Sequence, residues 1–421
     1  MTQPSRLYRR LADRLALPLF RLTVNGWENQ DDNTIQAVTI NRGLGQPGGG
    51  VAVTTLEVDV AGDFAQSPFT GSSIRLVIND TTALRYLTGV LGRPATDFAD
   101  RFRGRVGPIE VSDNGNGRTM STKLTCSSWI SQEAYSGRKR TLTLPTFLND
   151  AVQQLMYAEG RLYTMHSYGE RDVLYETIEN TTYGDEINKL TADYEILIGD
   201  LRNGDARFMY LPWRVEQAAA RVYTQAPLMR SQVIAPAKWE QANETYATKY
   251  EIRFVGPDGN MTGTTRYSQS SLAPAADTRD LDWSYIQSRT NHWDFASRAI
   301  IYRETTNRFA IPSVKVDLLR LLTSDNPYDR RVAGELILAE TGDTVNLAGD
   351  WPNLIDGVYV ITGMTEKITP DEWSIDMSLA TASAALGTVL SDIPDQDNIP
   401  PLVWDQATRT RWSDDDRKWN H

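Results

Sequence analysis

A pair of alternating segments around a glycine-rich stretch constrains the fold of this chain most strongly. Residues 34–40 (TIQAVTI) and 51–62 (VAVTTLEVDVAG) change between apolar and polar side chains with the period of a β-strand. Between them, Gly43, Gly45 and Gly48 have the spacing of a dinucleotide-binding loop, but such a loop requires a helix directly after the glycines. Because a strand comes next, we interpret the glycines as the tip of a long hairpin. One face of the second strand comprises Ala52, Thr54, Leu56, Val58 and Val60.

Further turn signals divide the rest of the chain into strands. Asn-Gly dipeptides lie within 114–117, and Pro, Asp, Gly or Asn residues interrupt alternating segments at 257–260 and 369–372. Several strands at short intervals indicate a barrel or a sandwich. We therefore predict a mainly β chain with an α+β insertion. The predicted regions are strand-rich over 20–145 and 235–390 and mixed α/β over 146–234, with helices over 144–160, 183–201 and 280–305.

The first 19 residues differ in character from the rest of the chain. Five arginines and one aspartate lie before residue 22, and Leu7, Leu11 and Leu15 recur at helical spacing. We expect a basic amphipathic helical arm over 1–19 that docks on its own protein, on a neighbour or on a membrane surface. A secretory signal is not indicated because an uninterrupted apolar core and a cleavage site are missing, and no segment has the length of an apolar membrane span.

The last 31 residues, 391–421, form a polar and proline-punctuated tail. It carries Trp404, Trp412 and Trp419 among aspartates and arginines, with too few other apolar residues to build a core. Tryptophan is a residue type that anchors interfaces. We predict an extended arm that binds a partner, or alternatively one that attaches to its own domain.

The composition excludes several functional classes. The single cysteine, Cys126, rules out an intramolecular disulfide and lies in an alternating segment where a small buried side chain fits. The three histidines, His166, His292 and His421, have no metal-ligand spacing, and the sequence shows no nucleophile elbow or phosphate-binding loop. A net charge of −11 disfavours a nucleic-acid-binding surface. We expect no enzymatic activity, cofactor or metal.

In the order of its features the chain resembles the minor tail proteins that form the baseplate hub of long-tailed phages, especially siphophages of actinobacteria. Three stretches carry the resemblance. The first joins the hairpin "VTINRGLGQPGGGVAVTTLEVDVAG" to "RFRGRVGPIEVSDNGNGRTMSTKLTCSSWIS", and the second runs from "LPTFLNDAVQQL" to "LIGDLRNGDARFMYLPW". The third is "GDTVNLAGDWPNLIDGVYVITGMTEKITPDEWSIDMSLATA".

The resemblance implies a structural virion protein, assembled in the host bacterial cytoplasm, that forms a homotrimer at the tip of the tail. Each copy would supply two tube-like β-barrel domains, near 20–145 and 235–390. Six such units would match a six-fold tail tube. The implied partners are the tail tube or distal tail protein, the tape measure protein and other minor tail proteins, with DNA passing through without specific binding.

The acidic balance acquires a role in such a channel. Residues 22–390 carry 34 basic and 46 acidic residues, a balance of −12. Carboxylates along the lumen would repel DNA phosphates, whereas a basic wall would bind them. Two other functions stay open from the sequence: a receptor- or carbohydrate-binding tail-tip protein, and a cell-wall glycan hydrolase.

Overall fold

A computed structural model gives the fold of the chain, which is mainly β as predicted. It describes residues 20–25, 27–28, 35–43, 52–61, 70–78, 84–85, 87–89, 92–113, 120–134, 139–142, 146–147, 150, 153–154, 163–166, 173–174, 178–182, 184–185, 197–209, 226–234, 240–241, 249–255, 261–267, 278–287, 309–352, 357–369 and 372–381. Within this part of the chain, no helix is both long and apolar enough to cross a membrane.

One eleven-stranded antiparallel sheet that curls into a half-barrel dominates the fold. Its strands are β1 (Phe20–Val24), β2 (Trp27–Glu28), β3 (Ile35–Gly43), β4 (Thr55–Ala61), β5 (Ser73–Ile78), β6 (Asp100–Asp113), β7 (Met120–Ser127), β20 (Ser313–Asp317), β21 (Thr344–Leu347), β22 (Gly357–Thr369) and β23 (Glu372–Thr381). They are arranged in the order β2-β1-β5-β6-β7-β4-β3-β22-β23-β20, and β21 pairs with β22 beside this path.

The two predicted strand-rich regions are joined within this single sheet. Strand β3 pairs antiparallel with β22, from Gly43 opposite Gly363 to Val38 opposite Ile368. The inner faces of early and late strands also meet in the core, where the Phe20 and Trp373 rings make an edge-to-face contact with centroids 5.8 Å apart. Pairing between strands distant in sequence thus makes the two regions one packed body. The domain boundaries themselves stay a prediction.

Five smaller sheets lie outside the main sheet. Their strands are β8 (Lys139–Leu142), β9 (Thr146–Phe147), β10 (Tyr163–His166), β11 (Val173–Leu174), β12 (Ile178–Thr182), β13 (Leu197–Asp200), β14 (Ala206–Met209), β15 (Glu240–Gln241), β16 (Lys249–Val255), β17 (Met261–Tyr267), β18 (Thr278–Gln287) and β19 (Phe309–Ala310). The strand orders are β10-β14-β13, β11-β9, β12-β8, β15-β19 and β17-β16-β18.

Three α-helices with assigned bounds lie in the described ranges: α1 (Trp129–Ala134), α2 (Leu318–Leu322) and α3 (Pro327–Leu338). Helix α3 begins where Asn326 accepts a hydrogen bond from the Tyr328 backbone N–H at 3.0 Å and Pro327 fits the first helical position. It buries Val332, Leu336 and Ile337 in the hydrophobic core shared with the sheet. Burial of each such side chain contributes about 1.5–3 kcal/mol.

The predicted hairpins are confirmed. Strands β3 and β4 pair across the glycine-rich tip, β6 and β7 pair across 114–119, and β16–β17 and β22–β23 pair across the other two predicted turns. Cys126 is buried, as predicted. Pro312 precedes the terminal strand β20 of the main sheet, in agreement with the edge position expected from proline.

Three predicted helices need correction. The helix predicted over 280–305 is wrong across 280–287, because these residues belong to β18, which pairs in parallel with β16. The helix over 183–201 is helical at 184–185, but Leu197–Asp200 form β13. In 144–160, residues 150 and 153–154 are helical, whereas Thr146 and Phe147 form β9. Leu201 is also described and is not helical, and the remaining positions of these predictions lie outside the described residues.

Candidate functional site: a buried ionic junction and the outer face of the sheet

A carboxylate surrounded by hydrogen-bond donors lies in the core of the main sheet. Glu366 Oε2 accepts hydrogen bonds from Arg101 Nη2 at 2.7 Å, Arg101 Nε at 3.3 Å and Arg42 Nη1 at 3.4 Å. Its other oxygen, Oε1, accepts from Trp373 Nε1 at 2.9 Å. Arg42 also donates to the carbonyl oxygen of Arg101, and Arg101 Nη1 donates to the Ile337 carbonyl oxygen at 2.9 Å. These contacts join β3, β6, β22, β23 and the end of α3.

Strand geometry explains why these charged side chains point inward. Arg42 and Glu366 occupy the inward positions of their strands, continuing the buried rows that contain Ile40 and Ile368. The inward orientation of Arg101 has a different cause. Leu76 pairs with Phe102 and Val77 with Asp100, so Arg101 is the extra residue of a β-bulge. Bulges redirect side chains, and this one directs Arg101 into the core.

The charges of the junction stabilise one another. Burial by itself raises the pKa of Glu366, but the positive charges of Arg101 and Arg42 and the Arg101 and Trp373 hydrogen bonds outweigh it and hold the pKa at about 2. Burial lowers the pKa of Arg101 to about 10 against the attraction of Glu366. Both groups are therefore ionised at neutral pH. A carboxylate saturated in this way does not exchange protons near pH 7, so the junction acts as a structural joint.

A second set of ion pairs attaches the β13–β14 hairpin to the loop after α3. Arg202 Nε donates to Glu340 Oε1 at 2.6 Å and Nη2 to the Leu338 carbonyl oxygen at 2.6 Å, and Nη1 donates to the Ile337 carbonyl oxygen. Arg207 Nη2 donates to Asp343 Oδ1 at 2.8 Å. The last carbonyl groups of a helix have no intrahelical partner, and here a guanidinium satisfies them. The β13–β14 hairpin is thereby fixed to the loop after α3.

The outer face of the main sheet has a different chemistry. Thr365 Oγ1 donates to Asn41 Oδ1 at 2.9 Å, and Asn41 Nδ2 donates to Thr55 Oγ1 at 3.4 Å. These residues occupy directly opposite positions on β22, β3 and β4, and Ser127 on β7 continues the row. Hydroxyl and amide groups thus form a polar band across four central strands, and its side chains are hydrogen-bonded to one another from β22 through β3 to β4.

Charged groups flank this band. Lys123 Nζ lies 2.8 Å from Glu57 Oε2, with both side chains 41% exposed, and Asp59 and Glu110 stand opposite Lys123 in the register. The neighbouring carboxylates raise the pKa of Lys123, chiefly through the Glu57 hydrogen bond. Toward the β1 edge the outer residues are basic: Arg75 stands directly opposite Arg103, and Arg105 comes next on β6. Both signs of charge therefore occur on this face.

The predicted site residues lie largely outside the described ranges. This applies to Leu7, Leu11 and Leu15 of the N-terminal arm and to Trp404, Trp412 and Trp419 of the tail. His166 lies in strand β10. Burial raises the pKa of Cys126 to about 12, so its thiol is not a nucleophile at neutral pH. Among the described residues, no three His, Cys, Asp or Glu side chains are grouped as metal ligands.

Sequence reasoning missed every member of the ionic junction. Two of them did carry a signal, because the alternation that identified β3 and β22 also assigns Arg42 and Glu366 to the buried faces. A charged residue on a predicted buried face requires a buried partner of opposite sign. Arg101 carried no such signal, since its orientation depends on the bulge.

Comparison with known proteins gives a likeness of fold. A tail protein from Neisseria meningitidis MC58 aligns over 87% of this chain and 97% of its own, with a TM-score of 0.58 and 12% sequence identity. The 43 kDa tail protein of prophage MuSo2 from Shewanella oneidensis aligns over 86% and 98%, with a TM-score of 0.55 and 10% identity. No protein-family model matches the sequence, and no curated protein matches it significantly. The chain thus has the fold of phage tail proteins.

Proposed function

We propose that this protein is a structural virion protein that forms a homotrimeric hub at the tip of a long phage tail. It would adapt the six-fold tail tube to three-fold tip proteins and line the DNA exit channel. The observation that carries this proposal is the shared fold. The alignment covers nearly all of two tail proteins and most of this chain, so the likeness extends over the β body and the insertion together.

The ionic junction supports an architectural role. A hub transmits the contacts of its neighbours through a fixed shape, which requires rigid connections between its parts. Glu366 joins β22 to β3 and β6, and Arg202 and Arg207 attach the insertion to the loop after α3. These buried pairs hold the sheet and the insertion in one arrangement.

The outer face of the main sheet is our candidate for the channel wall. Asn41, Thr55 and Thr365 use hydrogen-bonding groups on each other, and they carry no charge that would hold a phosphate. The mixed charges beside the band modify the expectation of a uniformly acidic lumen. In this proposal DNA passes over an uncharged polar band, and the basic residues lie toward the β1 edge of the sheet.

The proposed partners are the tail tube or distal tail protein, the tape measure protein and other minor tail proteins. We assign contacts with them to the 1–19 and 391–421 segments. Their composition suits such contacts, since Leu7, Leu11 and Leu15 offer an apolar stripe and Trp404, Trp412 and Trp419 offer interface anchors.

Negative-stain imaging combined with light scattering of the purified full chain tests this function. A three-fold ring with a central opening and three times the mass of one chain is expected. A monomer at high protein concentration would contradict the hub. Specific binding of that monomer to a host-surface glycan would favour a receptor-binding protein, and turnover of cell-wall glycan would favour a hydrolase.

A further inference from the structure

The buried carboxyl group of Asp200 lacks the close hydrogen-bond donors that surround Glu366. Asp200, the last residue of β13, is 2% exposed, and neither of its carboxyl oxygens has a partner in full hydrogen-bond geometry among the described residues, although the Thr54 and Ser128 hydroxyls lie close enough to lower its pKa. The Thr54 hydroxyl beside it also lacks one. By contrast, Glu366 receives four hydrogen bonds from side chains.

Hydroxyl groups and charges that already have other partners surround Asp200. The hydroxyls of Thr54 and Ser128 face the carboxyl from the residues that immediately precede β4 and α1. Of the charged groups acting on Asp200, Arg42 lies on β3 and Glu340 in the loop after α3. Arg42 is already bound to Glu366 and to the Arg101 carbonyl oxygen, and Glu340 carries the same charge as an ionised Asp200.

Burial decides which protonation state of Asp200 is favoured, because a charged group loses its hydration there. A buried carboxylate without hydrogen bonds or a dedicated cation is strongly disfavoured, whereas a neutral carboxylic acid can donate its proton to a hydroxyl oxygen. Burial accordingly raises the pKa of Asp200 to about 7, and the Ser128 and Thr54 hydroxyls and Arg42 act in the opposite direction. The neutral acid is the form that this environment accommodates.

Asp200 also lies where ionisation has a mechanical effect. It immediately precedes the Leu201–Asp205 turn, in which the Leu201 N–H donates to the Asp205 carbonyl at 2.9 Å and Gly204 has a φ of +85°. Trp129 Nε1 donates to the Gly204 carbonyl oxygen, and Arg202 in the same turn binds Glu340. A charge at Asp200 therefore arises inside the joint between the β13–β14 hairpin and the main sheet.

We propose that Asp200 is a proton-binding site that controls this joint: the neutral acid keeps the hairpin seated on the sheet, and loss of its proton to solvent loosens it. Nothing in this step requires the trimer, so it stands apart from the hub function. When the joint opens, Asp200 becomes hydrated and takes its ordinary pKa of 3.8. Between that value and about 7, the opening equilibrium rises up to tenfold per pH unit, and above about 7 it is constant.

Hydrogen exchange of the 198–205 segment in the full chain tests the proposal. Wild type and Asp200→Asn are compared at equal pH from 5 to 8, so that intrinsic exchange rates cancel. The exchange rate of wild type divided by that of the variant should rise by up to tenfold per pH unit toward pH 7 and then level off. Asp205→Asn is the matched control, because Asp205 lies in the same turn with its carboxylate bound to Asn203. A ratio independent of pH, or the same change in the control, would overturn the proposal.

A second measurement keeps the proposal testable if the Asp200→Asn chain does not fold. Infrared difference spectra of wild type carrying carboxyl-labelled aspartate should show one protonated carboxyl group that disappears with a midpoint near pH 7. Complete ionisation of all aspartates below pH 5 would refute it.

Discussion

Arg101 Nη2 lies 2.7 Å from Glu366 Oε2, and both side chains are fully buried although 265 positions separate them in the chain. The pair connects β6 to β22. Between those strands in the sheet lie β7, β4 and β3. The contact therefore reaches across the inner face of the curled sheet and links two strands that are not neighbours in it.

Removing one side of this pair should be costly. Glu366→Gln leaves the Arg101 and Arg42 charges buried without their carboxylate, and loss of one partner of a buried pair costs about 3–5 kcal/mol. Urea unfolding monitored by tryptophan fluorescence measures the change. Lys123→Met, which removes an exposed partner of Glu57, should change the unfolding free energy far less, because solvent screens an exposed pair. Similar losses of unfolding free energy in the two variants would show that burial does not strengthen the Arg101–Glu366 interaction.

Acid should weaken the same pair. The folded pKa of Glu366 is about 2 and its ordinary value is 4.5, so the unfolded chain binds the proton more tightly. The stabilisation is complete above pH 4.5 and is lost as the pH falls through 2, a contribution of about 3 kcal/mol. Unfolding free energies of wild type and Glu366→Gln, measured from pH 6 to 2, should converge toward low pH. Parallel curves would be inconsistent with a depressed pKa.

The contacts of Arg202 with Glu340 and the end of α3, which we call the Arg202 clamp, give a further prediction. Arg202→Ala leaves Glu340 without its cation and the Leu338 carbonyl oxygen without its guanidinium donor, which should cost about 3 kcal/mol. Arg202→Lys should restore part of this because it keeps the charge but loses the planar fork. Thermal unfolding measures both. Arg331→Ala, on an exposed pair with Glu335, should change stability by about 0.5 kcal/mol or less.

Gly104 should tolerate no side chain. A Cβ at this position would overlap the Ser127 carbonyl oxygen and lie 2.8 Å from two Phe102 ring atoms. Gly104→Ala is expected to destabilise by about 1–3 kcal/mol, as overpacking does. Gly89→Ala is the control, because nothing lies within 4 Å of its added Cβ. The denaturant midpoints of the two variants measure the difference in stability. Equal midpoints would show that β6 can shift to accommodate the added Cβ.

Deletion of 391–421 should impair assembly while the body stays folded. The described core ends with β23, and the tail composition cannot form a core of its own. Circular dichroism should therefore be preserved, whereas light scattering should show a lower mass. Joint substitution of Trp404, Trp412 and Trp419 by Ala should have the same effect. Unfolding on truncation would instead assign the tail to a core.

Much of the strand content could be predicted, because alternation and turn chemistry are local properties. The glycine-rich tip between β3 and β4 and the Asn-Gly turns between β6 and β7 were visible as short-range patterns, and both hairpins formed as expected. The pairing of β3 with β22 was not accessible in this way. No local pattern specifies which of several open strand edges meet across the whole chain.

The helix predicted over 280–305 failed for an identifiable reason. The segment from Asp280 to Tyr285 alternates strictly between polar and apolar residues, which is the strand period, and β18 covers it. The helical prediction treats residues 280–305 as one segment, although its first six residues carry the strand period. A division of the segment by period would have separated the two signals.

Part of the candidate site could be predicted from the sequence. Alternation assigns Arg42 and Glu366 to buried faces, so a buried pair could have been inferred from two strands alone. Arg101, however, is oriented by an irregularity of β6, and the clamp of Arg202 depends on how the insertion meets α3. Contacts of this kind arise from tertiary packing, which no window of sequence contains.

The β3–β22 seam has a consequence for how the protein is made. Residue 43 meets residue 363, so the N-terminal strands leave the ribosome long before their neighbour exists. At about 5–20 residues per second, the edge of β3 waits on the order of half a minute with its backbone groups unpaired. During synthesis that edge can pair with a strand from another nascent chain until the β22–β23 hairpin has been made and covers it.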